Sequence, residues 1–176
     1  PAYGGSCFPK DTKAITVRGD LFKTNLSIIK SVIKSNEKRR MFLAKRVVKI
    51  LSNKVKNKKI TFLGVTFKAN TDDMRGSSSL VMIPAFNKKG ANIRYYDPTG
   101  EKKEFSNLRN VKYCKNITEA CKKTDLIIIH TEWNEFKSLN FRILSQNKNL
   151  KIYDMRNLYS VKKMKKEKIS YFSIGR

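Results

Sequence analysis

Apolar residues recur along this chain with two different periods, and the change between them near residue 57 divides it in two. From Asn25 to about Val55, the residues Leu26, Ile29, Ile33, Leu43, Val47 and Leu51 return at threes, fours and sevens. That is the spacing of one face of a helix. Asn36 and Arg40 fill a gap in the stripe. A helix of about thirty residues exceeds what a small domain covers, so the stripe is expected to pack on another chain or domain. A shorter helix is read over Lys10 to Phe22, with Gly19 its weak point. Pro1 to Pro9, rich in Gly and Pro, reads as a loop.

Beyond Asn57-Lys58-Lys59, short apolar runs replace the long stripe. Strands are expected at Ile60 to Val65, Asn92 to Tyr96, Leu126 to Thr131, Lys151 to Tyr153 and Ile169 to Phe172. Helices are expected over Ser77 to Lys89 and over Ile117 to Lys122. The first enters through serines suited to N-capping and closes at Gly90. Asp97-Pro98 marks a turn. Strands alternating with helices imply an α/β fold, here a long central helix followed by a Rossmann-like, doubly wound parallel sheet. The division expected is residues 1–57 for the loop and helices, and 58–176 for an α/β domain able to fold alone.

Composition narrows the classes of function. With 176 residues, 40% of them hydrophobic, the chain can bury one real core and carry one additional element. Its apolar runs are no longer than four residues; one of them, Leu126 to Ile129, suits a strand, and all fall far short of the roughly 20 residues needed to span a bilayer, so no membrane partner is expected. The formal charge of +25 comes from 39 basic against 14 acidic residues. The lysines are spread along the chain in pairs such as Lys58-Lys59, Lys88-Lys89 and Lys122-Lys123, with no helix-turn-helix, zinc-finger or RNP pattern. They read as a solvated surface rather than a nucleic-acid interface, and they suit an anionic substrate. Pro1 in place of Met points to residues upstream. The three cysteines Cys7, Cys114 and Cys121 cannot all pair, and no signal peptide is seen, so a reduced, cytoplasmic setting is expected. Cys114 and Cys121 read as small buried hydrophobes. His130 has no ligand-spaced partner, which argues against a metal site, and it reads as a structural residue.

Two stretches carry candidate chemistry. In Gly4-Gly5-Ser6-Cys7-Phe8-Pro9-Lys10-Asp11, paired glycines allow backbone to approach a ligand. Cys7 stands just before a helix, where N–H dipoles and Lys10 favour a thiolate, and Asp11 is near enough to orient a proton transfer. A thiolate beside a base suits covalent catalysis on a carbonyl, although a lone cysteine in such a loop is often structural. In Gly64-Val65-Thr66-Phe67-Lys68-Ala69-Asn70-Thr71-Asp72-Asp73-Met74-Arg75-Gly76-Ser77, a strand runs into a polar loop and then a Ser-capped helix, an anion-binding layout. Lys68 and Arg75 could both reach phosphates. A merely solvated loop explains the same residues.

Together these stretches resemble the UDP-glucose 6-dehydrogenases of the UDP-glucose/GDP-mannose dehydrogenase family. Tyr96-Asp97-Pro98, Thr131-Glu132-Trp133-Asn134-Glu135-Phe136, Asp154-Met155-Arg156-Asn157 and the ending Ser173-Ile174-Gly175-Arg176 agree in order. The resemblance implies oxidation of C6 of UDP-glucose twice, with two NAD, to give UDP-glucuronate. By that resemblance Cys7 is the nucleophile that forms a thiohemiacetal and then a thioester, and Asp11 assists with the water. Tyr3, Gly4, Phe67, Lys68 and Arg156 are implied at the UDP-sugar, and Cys7, Lys10 and Arg75 on the NAD side. The long helix is implied as a homodimer contact. The family's amino-terminal G-x-G-x-x-G domain has no counterpart in these residues, so an NAD-binding domain is expected as a missing partner. A second reading stays open, a UDP-sugar-binding or dimerising module without catalysis.

Overall fold

The structure, a computed structural model, describes residues 1–175. Helix α1 spans Cys7–Leu21 and α2 spans Ser27–Ile50. Then come β1 (Lys59–Leu63), α3 (Ser79–Lys88), β2 (Asn92–Tyr96), β3 (Val111–Tyr113), α4 (Ile117–Cys121), β4 (Leu126–Ile129), α5 (Phe141–Ser145), β5 (Lys151–Asp154), α6 (Val161–Lys166) and β6 (Ser170–Ser173). All neighbouring strands are parallel, in the order β3-β2-β1-β4-β5-β6. This is the doubly wound Rossmann order, with its reversal between β1 and β4. The α/β expectation holds.

The central strands explain themselves. Leu126 to Ile129 are all fully buried, as parallel strands covered on both faces must be. Alternate residues feed two cores. Ile60, Phe62, Ile128 and Tyr153 join Met82 and Phe86 of α3 on one side. Leu63, Ile127, Ile129 and Ile152 meet Phe136, Phe141, Tyr159 and Met164 on the other.

Helix α2 is shorter than the sequence stripe. Its 24 residues end where Ser52 and Asn53 take positive φ and the Asn53 N–H closes on the Val48 carbonyl at 2.9 Å, a Schellman-type stop. The stripe also does two jobs. Leu43, Val47 and Leu51 are buried in the same core as Phe62 and Phe86, whereas Ile29 and Ile33 are only half-buried. The apolar surface left open lies elsewhere, on Val17, Leu21 and Phe22 of α1 and its end and on Ile28 of α2, each about 70% or more exposed.

Other departures are local. Helix α1 starts at Cys7 rather than Lys10, because Pro9 falls in its first turn, where its missing N–H costs nothing. Strands β1 and β4 stop at Leu63 and Ile129, two residues early. Strand β3 and helices α5 and α6 were not anticipated from the sequence, being three to six residues long. The serine cluster caps differently from expectation: Ser78, at the cap position, makes no side-chain cap bond. The Ser77 and Ser79 hydroxyls instead donate to the Val65 carbonyl at 2.7 and 2.5 Å, tying α3 to the turn after β1.

Candidate functional site

Ligands of doubly wound sheets sit beyond the carboxyl ends of the strands, at the point where strand order reverses. Here that point is the space above β1 and β4, and four chain segments converge on it. The turn after β1 is held by Asp97, which is fully buried and accepts from the Val65 N–H at 2.8 Å. This gives the Tyr96-Asp97-Pro98 motif a structural role. Gly64 makes the turn possible. Its φ is +74°, and a Cβ there would lie 1.5 Å from Thr131 Oγ1, so β1 and β4 part at a point with no room for a side chain.

The loop that follows carries Phe67, Lys68 and Arg75, and the Cys7 loop lies directly on it. The Gly5 N–H donates to the Arg75 carbonyl at 2.6 Å. A Cβ on Gly4 would meet the Gly76 carbonyl oxygen at 2.7 Å, and one on Gly5 would meet the Phe67 ring at 2.8 Å. The paired glycines are therefore used for close approach, to a second loop of the chain itself. From below, α2 clamps the strap. Asn36 accepts from the Tyr3 N–H at 2.9 Å and donates to the Tyr3 carbonyl at 3.1 Å, and Arg40 Nη2 reaches that carbonyl at 3.3 Å. Tyr3 stacks edge-on against Phe8, ring centroids 4.8 Å apart.

Cys7 occupies the first position of α1, exposed, with Ser6 Oγ 3.6 Å from its sulfur. This corrects its placing just before the helix. Asp11 lies one turn further on the same face, exposed and 3.5 Å from Lys10 Nζ. A hollow of about 360 Å³ between α1 and α2 borders Phe8 and Asp11. Arg75 is turned onto Asp73, donating from Nε at 2.9 Å and Nη2 at 3.0 Å. This pairing raises the Arg75 pKa and lowers that of Asp73; Cys7 adds a smaller upward contribution to Arg75. Lys68 is exposed, its ammonium 5.5 Å from the Phe67 ring centroid.

Arg156 is the best-held cation in the group. Asp154, at the end of β5, accepts from the Arg156 N–H at 2.9 Å, the Tyr159 N–H at 3.1 Å and the Tyr171 hydroxyl at 2.8 Å, which aims the following residues. Arg156 Nε donates to the His130 carbonyl and Nη2 to the Phe67 carbonyl, both at 2.8 Å. Glu132 Oε2 stands 2.8 Å from the same Nε. Next to it, His130 is buried, its Nε2 2.8 Å from Ser78 Oγ. Burial and then the Arg156 charge push its pKa down to about 3, so the ring is neutral near pH 7.

The structure thus draws Tyr3, Gly4, Cys7, Phe67, Arg75 and Arg156 into one region. Lys10 and Asp11 lie on the α1 side of it, paired with each other. Sequence reasoning missed the roles of Asn36, Arg40 and Glu132. Asn36 and Arg40 left a signal in the break of the α2 stripe; Glu132 left one only within the Thr-Glu-Trp motif. No cluster of three potential metal ligands exists among the described residues, and no helix there is long and apolar enough to cross a membrane.

Known proteins resemble this chain in sequence and in fold. Residues 61–161 match the UDP-glucose/GDP-mannose dehydrogenase family, UDP binding domain. A UDP-glucose 6-dehydrogenase of Rickettsia prowazekii (strain Madrid E) is 38% identical over 178 aligned positions, covering 99% of this chain and 41% of that protein. One from Rhizobium meliloti (strain 1021) is 35% identical, covering 100% and 40%. The solved UDP-glucose dehydrogenase of the hyperthermophilic archaeon Pyrobaculum islandicum superposes with a TM-score of 0.76 at 26% identity, over 98% of this chain and 37% of that one. The chain spans about two-fifths of the length of the curated relatives it matches.

Proposed function

The chain belongs to the UDP-glucose/GDP-mannose dehydrogenase family, and from that premise we propose that it is the carboxy-terminal part of a UDP-glucose 6-dehydrogenase, the part that grips the nucleotide sugar and presents the nucleophile. One observation carries the reading: the Cys7 loop is strapped onto the Phe67–Gly76 loop through the Gly5 N–H and the Gly4–Gly76 contact. A cysteine and a phosphate-type loop, sixty or more residues apart in sequence, therefore form one surface.

In this reading Lys68 neutralises the diphosphate, and Arg156 offers its remaining N–H groups to sugar hydroxyls. Tyr3, Gly4 and Phe67 shape the floor. Cys7 Sγ adds to the C6 aldehyde, forming a C–S bond while the carbonyl oxygen takes a proton, and Asp11 orients the water that later releases the acid. NAD is the cofactor of this reaction, accepting hydride. The described residues do not make a dinucleotide site by themselves. Lys10 and Arg75 are both engaged by neighbouring carboxylates, and the turn after β1 is Gly64-Val65-Thr66-Phe67-Lys68 rather than a glycine-rich phosphate loop. No hydride step is placed on this chain, and an amino-terminal NAD-binding domain is the partner proposed to supply it. The exposed apolar residues of α1 and α2 support a homodimer contact there. Residues 1–57 and 58–176 are proposed as its two functional parts, in a cytoplasmic protein.

Calorimetric titration tests the reading. UDP-glucose should bind the purified chain and Lys68→Ala should weaken it about tenfold, as loss of one charge-assisted phosphate contact implies. The chain alone with NAD should make no NADH. Absence of UDP-glucose binding, or binding untouched by Lys68→Ala, would count against the assignment.

A further inference from the structure

We propose that the outer side of α5 and α6 is a peripheral docking surface for an anionic phospholipid bilayer. The two helices lie side by side on the sheet face opposite to α2 and α3. Phe141 of α5 and Met164 of α6 are buried in one core with Ile152 of β5, whereas α2 and α3 fill the other. Arg142 joins the pair. Its Nη2 donates to the Glu167 carbonyl at 3.0 Å and to the Lys168 carbonyl at 2.5 Å, just past the end of α6. On a helix, a residue two positions from an inward one points away from the core. That turns Ile143 outward on α5, and Lys162 and Lys166 outward on α6, all of them exposed.

Charge and apolar surface coincide here. Residues 161–168 hold five lysines and one glutamate, and none of these lysines forms an ion pair among the described residues. Lys162 and Lys166 stand four apart on a helix, where like charges cost stability, so the fold gains nothing from the pattern. Lys163 turns back to the Tyr159 ring, 5.9 Å from its centroid. Beyond α2, the large hydrophobic side chains exposed among the described residues are Ile143 at 71% and Val161 at 45%, and both belong to these two helices. Unpaired lysines around exposed aliphatic side chains match negative headgroups over acyl chains. A nucleic acid would use the lysines alone, through its phosphates, and would leave Ile143 and Val161 without a partner. Contact of this kind is peripheral and needs no apolar run long enough to span a bilayer. It also leaves the carboxyl ends of the strands and the α1–α2 surface open.

The test is flotation of the whole chain with vesicles of phosphatidylserine and phosphatidylcholine in equal parts. The chain should float with them, stay behind with pure phosphatidylcholine, and let go as salt rises. Lys162→Glu with Lys166→Glu should weaken binding about thirtyfold or more, the effect of two basic residues lost at an anionic surface. Lys88→Glu with Lys89→Glu, the same charge change at the end of α3 on the other side of the sheet, should weaken it less than about threefold. Ile143→Ser should cost about fivefold, through lost apolar insertion. Equal losses from the two lysine pairs would reduce the effect to net charge and overturn the docking face. Unchanged binding by Ile143→Ser, the mark of a general polyanion surface that would hold duplex DNA as well, also overturns it. So does a wild-type chain that fails to float with the anionic vesicles.

Discussion

Replacing Gly64 by Ala perturbs the point where β1 and β4 diverge, and its cost can be worked from two separate terms. The first is conformational. At φ +74° an L side chain pays about 1–2 kcal/mol that glycine does not. The second is steric. The new Cβ would fall 1.5 Å from Thr131 Oγ1, 2.7 Å from Thr131 Cβ and 3.3 Å from its amide nitrogen, an overlap that no rotation of Thr131 removes. Forcing a methyl into packed structure costs about 1–3 kcal/mol. The sum is about 3 kcal/mol, or about 6–12 °C in melting temperature for a domain of this size. Chemical denaturation of Gly64→Ala measures it directly. In a Thr131→Gly background the steric term vanishes, so Gly64→Ala should then cost only about 1–2 kcal/mol. An Ala variant within about 0.5 kcal/mol of wild type, or equal costs in both backgrounds, would refute the packing argument.

Three further outcomes are expected. Arg40→Ala removes one of the bonds to the Tyr3 carbonyl, worth about 1 kcal/mol, and should speed hydrogen exchange at Gly5 more than in β4; equal change in both would contradict the clamp. In native protein a thiol reagent should label Cys7 alone, with all three cysteines reacting in denaturant, because Cys114 and Cys121 are buried and burial drives the Cys121 thiol up to about 12; equal native labelling would count against the fold of that region. His130 stays neutral when folded but takes a proton when unfolded, so stability should fall as pH drops from about 6.5 towards about 3, by up to about 1.4 kcal/mol per pH unit. His130→Asn should lack that part of the slope in urea titrations at several pH values, and an unchanged slope would argue for a charged His130.

The fold was legible where burial and periodicity coincide. Leu126 to Ile129 and Asn92 to Tyr96 announce themselves as strands because a parallel sheet buries them on one or both faces. Strand β3 did not, since Val111 and Tyr113 flank a single lysine at the sheet edge and the pairing partner on β2 decides the matter. The long α2 stripe was readable as helix but not as to its partner. Nothing local separates Val47, which fills the core, from Ile29 on the same face, which stays half-buried. At the site, Cys7 and Lys68 stood out because their motifs are contiguous. Asn36 and Arg40 looked like a flaw in an amphipathic pattern, and only the folded chain turns that flaw into the clamp on Tyr3. Glu132 is assigned by proximity across strands, which a linear sequence does not carry.

The most direct test of the account asks whether Cys7 is the nucleophile of a UDP-sugar oxidation. The chain is mixed with the separately produced portion of the Rickettsia prowazekii relative that this chain does not span, with UDP-glucose and NAD, and UDP-glucuronate is quantified by mass spectrometry. Product is expected from the wild-type chain. Cys7→Ser should give none while binding UDP-glucose nearly as well, since serine is a far weaker nucleophile near neutral pH and forms no thioester. Undiminished UDP-glucuronate from the serine variant would contradict the covalent role of Cys7.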